Sequence, residues 1–301
     1  MQKVSVIVPT YNSSEFIEAT LNSIIEQNYP NLEIIVSDDA SIDNTVAIIQ
    51  SFCEKFSFIK LIVNEKNQGV TKNCNVALKA CTGKYIGFIG ADDLMLPGKL
   101  IAQVNYMEHH PDCSISYHNV EVFDSTTDKC LYYYNSWFKN KARSGKVDQL
   151  LKYGCFNSAC STLIKANKLP PHGHNENFPV ASDWLLSIET LLFSGGTIDY
   201  IPYTYARYRR HQKNVTSSGS IFYKQAIIDS LNVSVLVAVN YPQYVIDTLG
   251  AYAIHLRLIR RLHESSKGYR QALIASLKVK YTLLALIALV CNWVTFGKVR
   301  L

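Results

Sequence analysis

No two cysteines in this 301-residue chain are spaced C-x-x-C. None of the eight (Cys53, Cys74, Cys81, Cys113, Cys130, Cys155, Cys160 and Cys291) stands with histidines at zinc spacing, which argues against a zinc-finger or ribbon protein. Several of these thiols fall at apolar positions of predicted helices and serve there as small hydrophobes. The Gly-rich patterns of P-loops and dinucleotide sites are absent, which excludes a phosphate site built on a glycine cradle. There is no internal repeat at solenoid periods. The chain enters a strand at Val4 without a charged-then-apolar leader, and with the cysteine pattern this predicts a reducing cytosol. In that compartment the acceptor pattern Asn214-Val215-Thr216 carries little weight. Excess charge is also missing from most of the chain. From Arg257 onward there are nine Lys or Arg and one acid, Glu264, against 21 basic and 23 acidic residues before that point. The net charge of +6 is therefore a property of the tail, and the remainder need not bind a polyanion such as nucleic acid.

The chain does have apolar content, 48% of its residues, which excludes disorder. It also has a regular alternation of periods over its first 110 residues. Strands are predicted at Lys3 to Val8, Leu32 to Ser37, Phe58 to Val63 and in the run before Asp92. Helices are predicted at about Ser14 to Gln27, Asp43 to Phe56 and Thr71 to Cys81, with Asn12-x-x-Glu15 as a cap for the first. Pro97 opens a further helix carrying Leu100, Val104 and Met107. This rhythm predicts an α/β fold: a Rossmann-like, mainly parallel central sheet with helices on both faces. Beyond it lie two short strands within Cys113 to Phe123, a polar turn at Asp124 to Lys129, and an aromatic run (Tyr132, Tyr133, Tyr134, Trp137, Phe138) that is either core or a sugar platform. A helix near Val147 to Tyr153, a strand near Cys160 to Lys165, a helix at Ala181 to Phe193 and two short strands in Thr197 to Tyr208 complete the pattern. After a polar linker at 214–220 the chain reads as helical, with helices at Ile221 to Asn240 and Tyr244 to His263. The expected division is an α/β domain over 1–213, with the regular alternation in 1–110 and a less regular part in 111–213, and a helical C-terminal region over 221–301.

The chemistry is concentrated where strands end. Asp92-Asp93 closes the apolar run Tyr85 to Ala91, and two adjacent carboxylates repel unless a cation sits beside them. They are either a solvated turn or the anchor of a divalent metal that also holds phosphate. The other strand ends carry Pro9-Thr10-Tyr11-Asn12, Asp38-Asp39-Ala40-Ser41 and Asn67-Gln68-Gly69-Val70-Thr71-Lys72-Asn73. In a parallel sheet these loops share one edge, the usual ligand edge of such folds. Taken singly, Asp39 reads as a turn residue and Asn73 as a surface or capping amide.

The order and spacing of Val4-Ser5-Val6-Ile7-Val8-Pro9-Thr10-Tyr11-Asn12, Ser37-Asp38-Asp39-Ala40-Ser41, Asn67-x-Gly69-x-x-x-Asn73 and Ala91-Asp92-Asp93 resemble family 2 glycosyltransferases, which have the GT-A fold. The likeness continues through Ser182-Asp183-Trp184-Leu185 and Tyr208-Arg209-Arg210-His211-x-x-Asn214. It implies a catalytic domain over 1–213 that binds a nucleotide-diphosphate-sugar donor in 1–110 and acceptor in 111–213, a UDP-sugar first among the donor candidates, with Mg²⁺ or Mn²⁺ and inversion at the anomeric carbon. It further implies that Pro9, Tyr11 and Asp39 line the nucleoside pocket and that Lys72 contacts the donor. Asp92 and Asp93 would hold metal and donor, Asp183 would be the general base, and Arg209, Arg210 and His211 would form a loop closing on the diphosphate, His211 being a possible metal ligand. Two residues depart from the family pattern. Gly90 stands where the metal motif often has its first Asp, leaving Asp92 or Asp93 as the ligand, and Ser182 stands where many members have Glu. Read without the resemblance, Asp183 is a helix-capping residue and His211 a metal ligand, a phosphate donor or an exposed loop histidine.

Residues 281–297 carry no charge, with Lys278 and Lys280 before them and Lys298 and Arg300 after. Seventeen residues sit at the lower limit for a span, so the segment lies in a membrane interface, packs as a helix, or crosses. The reading that joins these features is a transferase at the inner face of the cell membrane, using a saccharide or polyprenyl-linked saccharide acceptor in O-antigen, capsule or exopolysaccharide assembly. The alternatives are a non-catalytic sugar-nucleotide-binding module or a nucleotidyltransferase of related fold.

Overall fold

The computed structural model describes residues 1–136, 141–212, 214 and 221–262, with 287, 290, 291 and 293–295 near the C-terminus. Trp137 and Phe138, the linker at 215–220, and most of the uncharged segment 281–297 with its flanking cations lie outside the described residues.

The first half is built as its periodicity dictates. Strands β1 (Val4–Thr10), β2 (Leu32–Asp38), β3 (Ile59–Val63) and β4 (Tyr85–Phe88) alternate with helices α1 (Ile17–Ile25), α2 (Thr45–Lys55) and α3 (Val70–Lys79). β1 pairs in parallel with β2 and β4, and β2 with β3, giving the order β3-β2-β1-β4. Val4, Val6, Ile7 and Val8 are all fully buried, so β1 is covered on both faces, as a parallel strand must be. Because these pairings are parallel, the C-terminal ends of β1, β2 and β4 share one edge.

The second half is mixed. It adds β5 (Leu94–Met95), α4 (Lys99–His109), β6 (Cys113–Asp124), β7 (Cys130–Tyr133), α5 (Val147–Tyr153), β8 (Leu163–Lys165), α6 (Ser182–Ser194) and β9 (Thr197–Arg210). The sheet runs on from β4 through β8, β6 and β9 to β5, with β7 on β6. The contacts of β8 with β4 and β6 are antiparallel, as are those of β5 with β9 and β7 with β6, whereas β6 and β9 run parallel.

Four local expectations are corrected. The segment from Cys113 is one twelve-residue strand, because Ser114, Ser116 and His118, which break its apolar pattern, are buried and not exposed. The segment from Thr197 is likewise a single strand reaching Arg210. Its register against β6 jumps from Ile201 to Thr204, so Pro202 and Tyr203 form a bulge that the ladder passes over. Asn12 does not cap α1: its φ is +47°, and its side-chain oxygen accepts from the Ile42 N–H at 2.9 Å, tying the β1 loop to the β2 loop. Pro97 precedes α4 without opening it, since Gly98, at φ +82°, occupies the N-cap.

Two compact units emerge. One comprises residues 1–147, 155–177 and 185–212 and holds the sheet; the other comprises 148–154, 178–184 and 213–301. The second is helical, with α7 (Ile221–Asn240) and α8 (Val245–Leu262). It also includes two short segments from earlier in the chain, among them the one that ends in Asp183 and Trp184.

Glu33, on β2, gives the fold a pH signature. The carboxylate is buried, which by itself would raise its pKa, but hydrogen bonds from Ser5, Lys3 and Thr82 outweigh burial and hold it at about 2. Its folded pKa lies below the unfolded value, so its contribution is complete above the unfolded pKa and is lost as pH falls toward 2. Glu33→Gln is expected to cost on the order of 2 kcal/mol at pH 7, with the gap to wild type closing in the acid range. Thermal melts of both proteins across pH 2.5 to 7 check this; a gap that is constant with pH contradicts it.

Candidate active site

Asp39 directly follows β2 and is almost fully buried. Its Oδ1 accepts from the Asn64 side-chain amide at 3.0 Å and the Gln68 N–H at 2.9 Å, and its Oδ2 accepts from the Gly69 N–H at 2.8 Å. A carboxylate offers about four acceptor positions. Three are used among the described residues, and one on Oδ2 remains for a single incoming donor. The same bonds fix the loop that starts α3. Asn73 is neither a surface amide nor a cap: it is buried, accepts from the Ser37 hydroxyl at 2.6 Å and donates to the Ser37 carbonyl at 2.7 Å. Across the loop, the Asn12 N–H donates to the Ser41 hydroxyl at 2.8 Å. Pro9 is half-buried and Tyr11 exposed beside these clamped loops. Lys72 is also exposed, on the first turn of α3.

The acidic pair divides into two unlike groups. Asp93 is buried, and burial together with the charge of Asp92 pushes its carboxyl well above the ordinary range. Its Oδ1 accepts from the Arg209 backbone N–H at 3.0 Å. Asp92 is half-exposed, and its Oδ2 meets the His211 Nε2 at 2.9 Å. The Thr20 hydroxyl lies 2.9 Å from both the Ala91 and the Asp93 carbonyls and holds the turn. Gly90 has a steric reason: a Cβ there would come within 2.8 Å of Asp92 Oδ1. The carboxylate of Asp92 thus occupies the space into which a side chain at position 90 would start.

Strand β5 brings the late residues to this turn. Leu94 and Met95 pair with Arg207 and Ala206, so the end of β9 runs alongside the residues just before β5. Along β9, alternate residues face opposite ways. Arg207 and Arg209 stack on Phe123 at 4.0 and 4.7 Å from the ring centre, and the Phe16 ring centre also lies 4.9 Å from the Arg209 guanidinium. The imidazole of His211 lies 4.8 Å from Phe16, centroid to centroid. Arg209 Nε donates to the Asp92 carbonyl at 2.8 Å. Arg210 faces the other way and stacks on Tyr208. The structure therefore brings Asp92, Asp93, Arg209 and His211 together and does not place Arg210 with them.

Asp183 is the second residue of α6, in the helical unit. Solvent reaches its side chain, yet the density of protein around it raises its carboxyl by desolvation. Its Oδ1 accepts from the Trp184 N–H at 2.7 Å, so the capping chemistry read from the sequence is present as well.

Some site-forming residues carried no signal in the sequence. Neither Phe16 nor Phe123 is marked as a site residue by the sequence; the register pairs Phe123 with Arg209, and both rings lie against its guanidinium. A cavity of about 410 Å³ lined by His172, His174, Asn175, Glu176 and Glu189 was likewise not anticipated. It adjoins the end of β4, where Phe88 meets the His174 ring edge-on at 5.8 Å. No group of three or more His, Cys, Asp or Glu side chains among the described residues converges as a ready-made metal site.

An α/β sheet with clamped polar loops and an acidic turn along one edge defines a class of protein that binds its ligand at the carboxyl ends of the strands. Comparison makes the assignment specific. The model of glycosyl transferase family 2 matches residues 5–166, more than half of the chain, and the chain belongs to that family. It is 36% identical over 124 residues to the UDP-Glc:alpha-D-GlcNAc-diphosphoundecaprenol beta-1,3-glucosyltransferase of Escherichia coli, covering 41% of this chain and 48% of that protein. It is 29% identical over 221 residues to an uncharacterized glycosyltransferase of Haemophilus influenzae, covering 71% of this chain and 67% of that one. The match to the first thus spans about half of that relative's length. Among solved structures, S. aureus TarS in complex with UDP-GlcNAc superposes with a TM-score of 0.71 at 19% identity, over 93% of this chain and 82% of that one. A mannosyltransferase of Pyrobaculum calidifontis in complex with GDP-Man and Mn²⁺ does so with a TM-score of 0.61 at 19% identity, over 98% and 80%. These likenesses establish the GT-A fold.

Proposed function

We propose that the chain is an inverting glycosyltransferase that moves a sugar from a nucleotide diphosphate, UDP first among the candidates, to a hydroxyl of a saccharide acceptor in surface-polysaccharide assembly. The observation that carries this reading is the meeting of Asp92, His211 and Arg209 at the ligand edge, beside an Asp39 with one acceptor position to spare. Asp39 takes the one N–H that a uracil imide offers, with Pro9 and Tyr11 against the nucleoside. Lys72 and Arg209 supply positive charge toward the diphosphate.

The residues fit a divalent ion. Asp92 is half-exposed with an imidazole at hydrogen-bond distance, and Asp93 is committed to the Arg209 N–H, so Asp92 and His211 are the residues that would hold it. A carboxylate oxygen paired with an imidazole suits Mn²⁺, with Mg²⁺ also served by the carboxylate. When bound, the ion supplies charge stabilisation to the departing diphosphate. Asp183 is solvent-reachable, and in its ionised form takes the proton of the acceptor hydroxyl as that oxygen attacks opposite the leaving group, which inverts the anomeric centre. The cavity with His172 and Glu189, lacking Lys or Arg, suits sugar hydroxyls better than phosphate and is assigned to the acceptor. Release of nucleoside diphosphate from a panel of nucleotide sugars, with Mn²⁺, with Mg²⁺ and with chelator, tests the reading. Turnover of one UDP-sugar that chelator abolishes supports it, and inertness toward every nucleotide sugar with metal present sinks it.

We also assign a lipid-linked acceptor and a peripheral membrane contact. No helix among the described residues is long and apolar enough to cross a membrane. Near the C-terminus, Ile287, Val290, Trp293 and Val294 are exposed, at an angular spacing that puts them on one helical face, within a region rich in Lys and Arg. Trp293→Glu with Val294→Glu is expected to cut co-sedimentation with phosphatidylglycerol vesicles several-fold. Unchanged sedimentation of this variant rules the contact out.

A further inference from the structure

The helical unit has a feature that no membrane role explains. Asp229, on α7, is buried, and its carboxylate points into the segment just before α6, with no salt-bridge partner among the described residues. Its Oδ2 accepts from the Val180 N–H at 2.9 Å and the Ala181 N–H at 3.3 Å. Its Oδ1 accepts from the Gln225 side-chain amide at 2.6 Å, one helical turn earlier. Two residues beyond Ala181 comes Asp183. On the other side of that residue, Trp184 is buried with its ring 5.3 Å from His255 of α8. His255 is kept neutral by burial, its pKa pushed down to about 4, so this is a contact between two uncharged rings at ordinary pH. Asp183 is therefore gripped on both sides by the C-terminal helices: its leading backbone by Asp229, and its trailing neighbour by His255.

We infer that Asp229 is a positioning residue for the general base, and that α7 and α8 form the mount of Asp183. The inference rests on the reading of Asp183 as the base. Physically, a buried carboxylate without a counter-cation is costly unless its lone pairs are filled by hydrogen bonds. Spending them on two consecutive backbone N–H groups fixes the direction in which the chain enters α6. A base must sit within hydrogen-bond reach of its proton, so a small error in that direction lowers turnover without altering how the nucleotide is held.

The test uses the full-length chain and three variants: Asp229→Ala, Asp229→Asn and Asp183→Asn. The readouts are UDP release from the best UDP-sugar with Mn²⁺, and the dissociation constant for UDP with Mn²⁺ measured by titration. Asp229→Ala is expected to lower kcat at least tenfold while the UDP dissociation constant stays within about twofold. Asp229→Asn is expected to recover most of the rate, because its amide oxygen can accept from Val180 and Ala181 and the Gln225 amide can turn over to accept from its NH₂. An unchanged kcat in Asp229→Ala overturns the inference, as does a parallel loss of UDP binding and turnover, which would mark a general fold contact. Full activity in Asp183→Asn would instead remove the reading beneath it. Loss in Asp183→Asn with none in Asp229→Ala defeats the positioning role alone.

Discussion

Asp92→Asn is expected to lower turnover of the UDP-sugar by about 10²- to 10³-fold, the usual cost of removing one group that stabilises charge in the transition state. The same substitution should weaken Mn²⁺-dependent UDP binding, because the amide keeps the shape and loses the charge. Asp93→Asn should be much milder on metal dependence. Position 93 is buried, burial already favours its protonated form, and an asparagine oxygen there can still accept the Arg209 N–H. Asp93→Ala removes that acceptor and should loosen the end of β9, raising the metal concentration needed for half-maximal rate without abolishing it. Metal-titration curves for the three variants separate these outcomes. Equal loss in Asp92→Asn and Asp93→Asn would contradict the division of labour drawn from burial.

The second large effect is expected at Asp183. Asp183→Asn should cost about 10²- to 10⁴-fold in kcat, the range assigned to a positioned general base, with UDP binding unchanged. Its carboxyl is raised above the ordinary Asp value by desolvation, and only the ionised form can take a proton. The rate should therefore fall as pH drops through that raised pKa, on an acid limb displaced upward from that of a free Asp side chain. Asp183→Asn should lose this limb. Its retention in the variant would assign the limb to another group, and the base with it.

The first half of the fold was open to reading because its signals are local. The β-branched runs of β1 to β4 alternate with helices of period 3.6, and the polar strand-end loops fall at regular places. The later half was less legible because its elements are defined by distant partners. β5 is two residues long and exists only because Leu94 and Met95 meet β9. β9 reads as two pieces until its bulge at Pro202 is matched against β6. Ending that strand at Tyr208 also hid a consequence of alternation, that Arg209 and Arg210 face opposite ways. The pair Asp92-Asp93 looks symmetric in sequence and becomes asymmetric only through burial and the Arg209 N–H. Asp229 lies 48 residues beyond the nearer of the two backbone groups it holds, and no local pattern marks such a bond.

The central claim is that Asp92 and His211 would hold a divalent ion, and that the ion would stabilise charge on the donor's diphosphate. Calorimetric titration of UDP into the full-length chain, with Mn²⁺ and with chelator, tests it most directly. The account predicts saturable one-to-one binding that Mn²⁺ tightens at least tenfold, with that gain lost in Asp92→Asn. UDP binding of equal strength with and without Mn²⁺, or a gain that survives in Asp92→Asn, would contradict it.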